Sequence, residues 1–249
     1  MFNNIYQLTD SQWEVVQKII PDTRQRKHSL RLVVNALLYL VKTGCQWRML
    51  PPCFPPWQLV YYYFRKWKRD ETILLLHDKL TEWIRHRKGK QAEPSAAIMD
   101  SQSVKNTAIA GEQKGFDAGK KIKGRKRHIL TDTLGLLICV VVHSAGIQDR
   151  QGAHLLLEKA KDRCLKVVFA DEGYSGKLVE LVQTTYGWLL QIVTKIHGVF
   201  NQPKRWIVER TFAWINNDRR NSKDYERLTE SAEAIIYLSM IKTMLKQFK

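Results

Sequence analysis

AAIMD (Ala96–Asp100) and VVFAD (Val167–Asp171) are two short apolar runs that each stop at an aspartate. Runs of this length, bounded by polar residues, read as buried strands rather than helices. Between them lies RKRHILTDTLGLLICVVVHS (Arg125–Ser144). Its apolar stretches, Arg127–Thr131 and Leu136–His143, flank Asp132–Gly135 and predict a β-hairpin turning there.

Working outward, Gly152–Arg163 places Leu155, Leu156 and Ala160 on one helical face. Lys177–Thr185 reads as a helix, Trp188–Thr194 as a strand, and a further helix begins after Pro203. The C-terminal Glu230–Phe248 carries Ile235, Leu238, Ile241, Leu245 and Phe248 at helical spacing. The predicted order is β, β, β, α, β, α, β, α. A meander followed by αβ units implies an α/β fold, a mixed sheet with helices on its faces. Antiparallel hairpin strands then lie on one side of the first strand and the later parallel strands on the other, which matches a ribonuclease-H-like mixed sheet.

The first 93 residues read as a small all-α N-terminal domain, and residues 94–249 as the α/β domain. Thr9 and Gln12 have capping-box spacing ahead of Trp13, Val16, Ile19 and Ile20, and Pro21 ends that helix. Ser29 caps a helix from Leu30 to Thr43, with Gly44 as its stop. A Pro-rich connection, Pro51–Pro56, leads into a third helix, and a fourth runs over about Glu71–Arg87.

The chain has 249 residues, 44% of them hydrophobic, enough for a core and against wholesale disorder. Its 41 Lys and Arg against 24 Asp and Glu give a net charge of +17. Such an excess points to a polyanionic partner, because each neutralised phosphate releases counterions; it does not imply catalysis. Cys45, Cys53, Cys139 and Cys164 form no CxxC pair and read as small hydrophobes in a reducing compartment. The polar opening Met1–Gln7 is unlike a signal peptide, and no apolar run approaches the ~18 residues of a membrane span. The expected location is the bacterial cytoplasm, at the nucleoid, with no membrane partner.

In a sheet of this kind, ligand groups gather at strand carboxyl ends near the topological switch point. Asp100 and Asp171 end the predicted first and fourth strands. If those strands are neighbours, their carboxylates repel unless a cation lies between them. Glu209, on the helix after the fifth strand, is the candidate third acid, and Arg205 lies one turn before it. Each alone also suits a plainer role: a turn former or cap for the aspartates, a surface pair for Glu209. Glu172 competes with Asp171.

The segments MDSQSVK (Met99–Lys105), KKIKGRKRHILTDTLGLLICVVVHSA (Lys120–Ala145), ADEGYSG (Ala170–Gly176) and RWIVERTFAWINNDRRNSKDYE (Arg205–Glu226), in that order, resemble the DDE-class transposases of bacterial insertion sequences. The resemblance is to the insertion-sequence-five family. LTDSQWEVV and TGCQWRMLPPCFPPW resemble its N-terminal helical region. The resemblance implies a ribonuclease-H-like fold with Asp100, Asp171 and Glu209 as catalytic, metal-binding triad for two Mg²⁺ ions, with Mn²⁺ as substitute. It implies cleavage at mobile-element ends and attack of the freed 3′-hydroxyl on target DNA. It further implies a homodimer on double-stranded DNA, the terminal inverted repeats and the target. The 37 residues at positions 172–208 leave no room for a large inserted domain. Of the related pattern Tyr-x₂-Arg-x₃-Glu-x₆-Lys, only Arg205 and Glu209 are met; Gln202 and Asn216 stand at the outer positions. Arg210, Arg219 and Arg220 are candidate substitutes for the missing phosphate contacts.

Further DNA contacts are expected from Lys120, Lys121, Lys123, Arg125, Lys126 and Arg127, as positioning rather than sequence reading. A helix-turn-helix-like arrangement would make Trp57–Arg69 the reading helix, with Gln58, Tyr61, Arg65, Lys66 and Lys68 toward DNA. The alternative is a helical cap burying Trp57, Phe64 and Trp67. Asp149 is expected to cap the helix that follows it, and His128 and His143 have no second ligand at metal spacing. Two rivals to an active transposase remain: a transposase-derived DNA-binding protein without cleavage activity, and a ribonuclease-H-like nuclease of repair or RNA.

Overall fold

The sheet grows from the two runs that end in aspartate. The computed structural model describes residues 7–20, 24–108, 111, 113–194 and 205–248. Its strands are β1 (Ala96–Lys105), β2 (Gly115–Asp117), β3 (Ile122–Asp132), β4 (Leu137–Ser144), β5 (Val167–Asp171) and β6 (Leu189–Val193). Its helices are α1 (Asp10–Gln17), α2 (Leu30–Thr43), α3 (Trp57–Arg69), α4 (Thr72–Arg87), α5 (Asp149–Lys159), α6 (Lys177–Tyr186), α7 (Arg205–Asn216) and α8 (Thr229–Leu245). None of the described helices is long and apolar enough to cross a membrane.

The strands are ordered β2-β3-β1-β5-β6, with β4 also paired to β3. β1 is antiparallel to β3 and parallel to β5, and β5 is parallel to β6. This is the ribonuclease-H-like arrangement, with β1 at the change from antiparallel to parallel neighbours. Two features differ from expectation. The short strand β2 is additional, and the β1–β3 ladder runs on from Ala97↔Asp132 to Lys105↔Gly124. β1 therefore continues past Asp100, and β3 starts at Ile122 rather than Arg127. The extension is polar, so apolar patterning gave no sign of it.

The chain folds into two compact units. One comprises Arg85–Ala213 and Lys223–Glu233. Its core joins Ala97 and Met99 of β1 to Leu130, Leu156, Val168 and Leu190, all nearly inaccessible. The turn between β3 and β4 is organised by Asp132, whose Oδ1 accepts the amides of Leu134 and Leu136, each at 2.8 Å. Its other oxygen pairs with Arg85, which also donates to the Gln91 carbonyl at 2.8 Å. Both side chains are almost fully buried.

The other unit comprises Met1–Ile84, Trp214–Ser222 and Ala234–Lys249. Thr9 and Gln12 form the expected capping box of α1; Pro21 lies outside the described residues. α2 begins at its Ser29 cap and buries nine of its 14 residues, including Val33, Leu37 and Val41. Gly44 ends it in the left-handed region at φ 69°. A Cβ there would meet the Arg219 backbone at 3.1 Å, so space and φ both call for glycine. The later segments are tied in by Lys42 Nζ to the Asn217 carbonyl (3.1 Å), Asn221 Nδ2 to Ser239 Oγ (2.6 Å) and a buried Lys242–Asp218 pair.

Removing one partner of a buried ion pair leaves the other charge uncompensated. Arg85→Ala is expected to lower the unfolding free energy by about 3–5 kcal/mol in urea titrations at pH 7. A loss within about 0.5 kcal/mol, the range of an ordinary surface change, would show that the pair does not hold the β3–β4 turn.

Candidate active site

The parallel register of β1 and β5 brings the two aspartates together. Ala96, Ala97 and Ile98 pair with Val167, Val168 and Phe169. Asp100 and Asp171 each lie two residues further on, so they share the face of Ile98 and Phe169 on adjoining strands. They line a small open hollow with Ile98, Phe169, Arg205 and Val208. Burial pushes the Asp100 carboxyl up to about 6; the Ser101 amide, donating to Oδ1 at 2.7 Å, opposes this. The charge of Asp171 adds to the rise, while Lys120 and Arg205 act against it. Asp171 is held by its own turn, Oδ1 accepting from the Gly173 amide at 3.0 Å.

Arg205, at the start of α7, stands between the acids. Its Nη1 is 4.0 Å from Asp171 Oδ2, and its Nε is 3.2 Å from Glu209 Oε1. The Nη1 atom is buried without a hydrogen-bond partner among the described residues. The Glu209 side chain is 59% exposed and directed to Arg205. Among the described residues, no three or more His, Cys, Asp or Glu side chains are gathered so as to hold a metal ion. The structure thus joins Asp100 to Asp171 and leaves Glu209 beside them, on Arg205. Two converging carboxylates that disfavour joint ionisation fit a divalent cation. Gln202 lies outside the described residues. Arg210 stacks on Trp206 at 4.5 Å and donates to the Leu134 carbonyl at 2.8 Å. In the other unit, Arg220 is buried and donates to the Cys45 carbonyl at 3.0 Å.

The basic run divides. Lys120, Lys121 and Lys123 are exposed at and after the β2–β3 turn. Arg125, Lys126 and Arg127, expected to face DNA, are buried at 1%, 3% and 2% exposure, which corrects that expectation. The reason is the longer β3, flanked by β1 on one side and β4 on the other. Arg125 donates to Asp224 (3.2 Å) and to the carbonyls of Glu226 and Arg227 (2.9 and 2.8 Å). Lys126 lies 2.7 Å from Asp149 and 3.5 Å from Asp117. Burial brings Arg127 down to about 10, against the charge of Asp224. A run of bases next to a turn usually marks a solvated face; here the balancing acids are distant in sequence.

Asp149 is also placed differently from expectation. Gln148 occupies the cap position of α5, and Asp149 is its first residue. The Asp149 carboxylate accepts from Ser101 Oγ at 2.9 Å as well as meeting Lys126. Burial raises its pKa, but the hydrogen bond and charge of Lys126 and the bond from Ser101 bring it below the ordinary value. His128 and His143, given no role by spacing, are buried beside this group. Register would have found it: Ser101 pairs with His128, Ser103 with Lys126, and Lys126 with His143, all on one face.

In the helical unit, α3 buries Val60, Phe64 and Trp67 and exposes Gln58, Tyr61, Tyr62, Arg65, Lys66 and Arg69, while Lys68 is half-buried. Trp57 is half-buried, under the guanidinium of Arg48 at 5.3 Å. The buried aromatics Phe64 and Trp67 and the basic residues therefore occupy different faces of one helix, with Tyr61 and Tyr62 on the exposed face beside Arg65 and Lys66.

The raised Asp100 pKa has a direction in stability. Folding binds a proton between the ordinary value of 3.8 and about 6. Without metal, stability from this group is therefore lost as pH rises through that window and stays lost above it. In EDTA, Asp100→Asn is expected to raise the unfolding free energy by about 3 kcal/mol at pH 8 and by nothing measurable at pH 3.5. An equal effect at both pH values, or a loss at pH 8, contradicts the site's electrostatics.

Two family models match the chain. The one for "Putative transposase of IS4/5 family" matches residues 8–77, and the one for "Transposase DDE domain" matches residues 91–243. A curated relative from Burkholderia cepacia, "Putative transposase for insertion sequence element IS402", is 28% identical over 127 residues. That similarity covers 46% of this chain and 60% of the relative. Residues 91–243 are more than half of the 249 and contain Asp100, Asp171 and Glu209. With its strand order and its paired aspartates, this chain belongs to the family of transposases with a DDE domain.

Proposed function

We propose that this protein is a DNA transposase, cutting at the ends of a mobile element and joining the 3′-hydroxyl ends to target DNA. The observation that carries the reading is the placement of Asp100 and Asp171 side by side, with Arg205 lining the same hollow. Asp100 and Asp171 would hold divalent cations, and Glu209 would complete the ligand set by leaving Arg205. Two Mg²⁺ ions, with Mn²⁺ as substitute, would supply Lewis acidity and balance the charge developing on a phosphodiester. Arg205, relieved of Glu209, turns its unpartnered Nη1 to a phosphate oxygen and fixes the strand at the reacting bond. The carboxylates of Asp100 and Asp171 are pre-placed on paired strands, so the reorganisation would be confined to Glu209 and Arg205.

Around this centre, Lys120, Lys121, Lys123 and Arg210 are the proposed backbone contacts on the catalytic side. Residues 1–93 would recognise the inverted repeats through α3, with Arg65, Lys66 and Lys68 toward the duplex, and residues 94–249 would carry the chemistry. A homodimer would hold two element ends, in the cytoplasm at the bacterial nucleoid. A second reading, a DNA-binding protein without cleavage activity, is favoured by one observation: Glu209 is spent on Arg205 rather than gathered with the aspartates.

Supercoiled plasmid carrying the element's own ends separates the two. The expected result is nicking at those ends with Mg²⁺ or Mn²⁺ and none in EDTA. Asp100→Asn, Asp171→Asn and Glu209→Gln should each lower the rate at least about 100-fold while DNA binding persists, the scale of losing a stabilising group at the reacting centre. Specific binding without nicking under any metal would establish the second reading.

A further inference from the structure

Ser101 follows Asp100 in β1 and points to the opposite face of the sheet, where a second polar group is buried. There the Tyr174 hydroxyl lies 2.9 Å from His128 Nε2, His128 Nδ1 lies 2.8 Å from His143 Nε2, and His143 Nδ1 lies 2.9 Å from the Ser144 carbonyl. A carbonyl oxygen only accepts, so the proton order is fixed. His143 donates to Ser144, His128 donates to His143, and Tyr174 donates to His128. Burial, then the neighbouring His143, brings His128 down to about 3, and burial lowers His143, so both rings are neutral as this order requires. The two imidazoles are stacked, with centroids 5.0 Å apart. Exposure is 0% for His128, 4% for His143 and 1% for Tyr174.

Helix α5 is built to admit this column. A Cβ on Gly152 would fall 2.4 Å from His143 Nε2 and 2.5 Å from His128 Nδ1. Glycine inside a helix is unfavourable without such a reason. The column also ends somewhere definite. Tyr174 closes the single 3-10 turn Glu172–Tyr174 that Asp171 caps, with Asp171 Oδ1 on the Gly173 amide at 3.0 Å. Anchoring the Tyr174 hydroxyl therefore restrains the turn from which Asp171 projects.

We propose that the His143–His128–Tyr174 column, seated under Gly152, is a positioning device that holds the Asp171 carboxylate facing Asp100 for a divalent cation. None of the three touches the reacting atoms; they act through Asp171. The inference rests on the reading of Asp100 and Asp171 as a cation site. Partners of this kind commonly tune metal affinity by 10–100-fold.

Mn²⁺ titration of the full chain without DNA, followed by the electron paramagnetic resonance of free Mn²⁺, tests it alongside urea midpoints. Asp171→Asn is the reference and should abolish the tight site. Tyr174→Phe, His128→Phe and Gly152→Ala are expected to weaken Mn²⁺ binding by about tenfold or more. His128→Gln, which keeps an acceptor for the Tyr174 hydroxyl, should recover most of that loss. Leu156→Ala, a core change one turn along α5 from Gly152 that removes none of the column's hydrogen-bonding groups, should lower the urea midpoint and leave Mn²⁺ affinity unchanged. If Asp171→Asn loses Mn²⁺ while folded Tyr174→Phe binds like wild type, or if Leu156→Ala weakens Mn²⁺ equally, the positioning role is overturned alone. If Asp171→Asn binds Mn²⁺ like wild type, the cation site fails and the inference with it.

Discussion

Two carboxylates held side by side where the parallel pairing of β1 and β5 ends are the constraint around which the catalytic unit is arranged. The register of β1 and β5 leaves Asp100 and Asp171 no freedom to separate, because each is fixed two residues beyond a paired position. Burial first, and then the charge of Asp171, oppose ionisation of Asp100 there, and its pKa is raised. A cation resolves the conflict, and so does a guanidinium at longer range. Arg205 lies closer to Glu209, at 3.2 Å, than to Asp171, at 4.0 Å, and in the proposed reading it would give way to the cation.

The opposite face of the same strands carries a different solution to polar burial. Lys126 and Asp149 neutralise one another, and Ser101 and Ser103 donate to Asp149 and Asp117. Against the upward push of burial, the bond from Ser103, the Lys120 amide and the charges of Lys126 and Lys120 hold Asp117 at about 2. Asp117 therefore stays ionised while Asp100, just past the last β1–β5 pair at Ile98, resists ionisation. The two faces thus divide the labour: one is internally satisfied and rigid, the other is left electrostatically incomplete and open to a ligand.

Much of this was legible in the residues. Apolar runs with sharp polar ends located β4, β5, β6 and the start of β1 to within a residue or so, since their apolar side chains build the core, whereas the polar second half of β1 went unseen. Ser29 and Gly44 marked α2 because caps are local chemistry. What the sequence hid was long-range. Nothing near Arg125–Arg127 announces that their counter-charges are Asp149 and Asp224, which follow much later in the chain. The run therefore read as a DNA-facing surface when only its Lys120–Lys123 half is exposed. Asp149 looked like a cap because its partner Ser101 lies on another element. His128, His143 and Gly152 carried no local pattern, and the relation of the two histidines exists only in the register of β3 against β4. The pairing of Asp100 with Asp171 was readable because each closes an apolar run, although β1 itself continues to Lys105, and one topological assumption brings the two runs together.

Diffraction from crystals of the full chain grown with Mn²⁺, recorded where manganese scatters anomalously, addresses the central claim without relying on turnover. A peak is expected about 2 Å from carboxylate oxygens of both Asp100 and Asp171, with Arg205 displaced from its present contacts. Manganese bound elsewhere on the chain, with none between the two aspartates at saturating concentration, would contradict it.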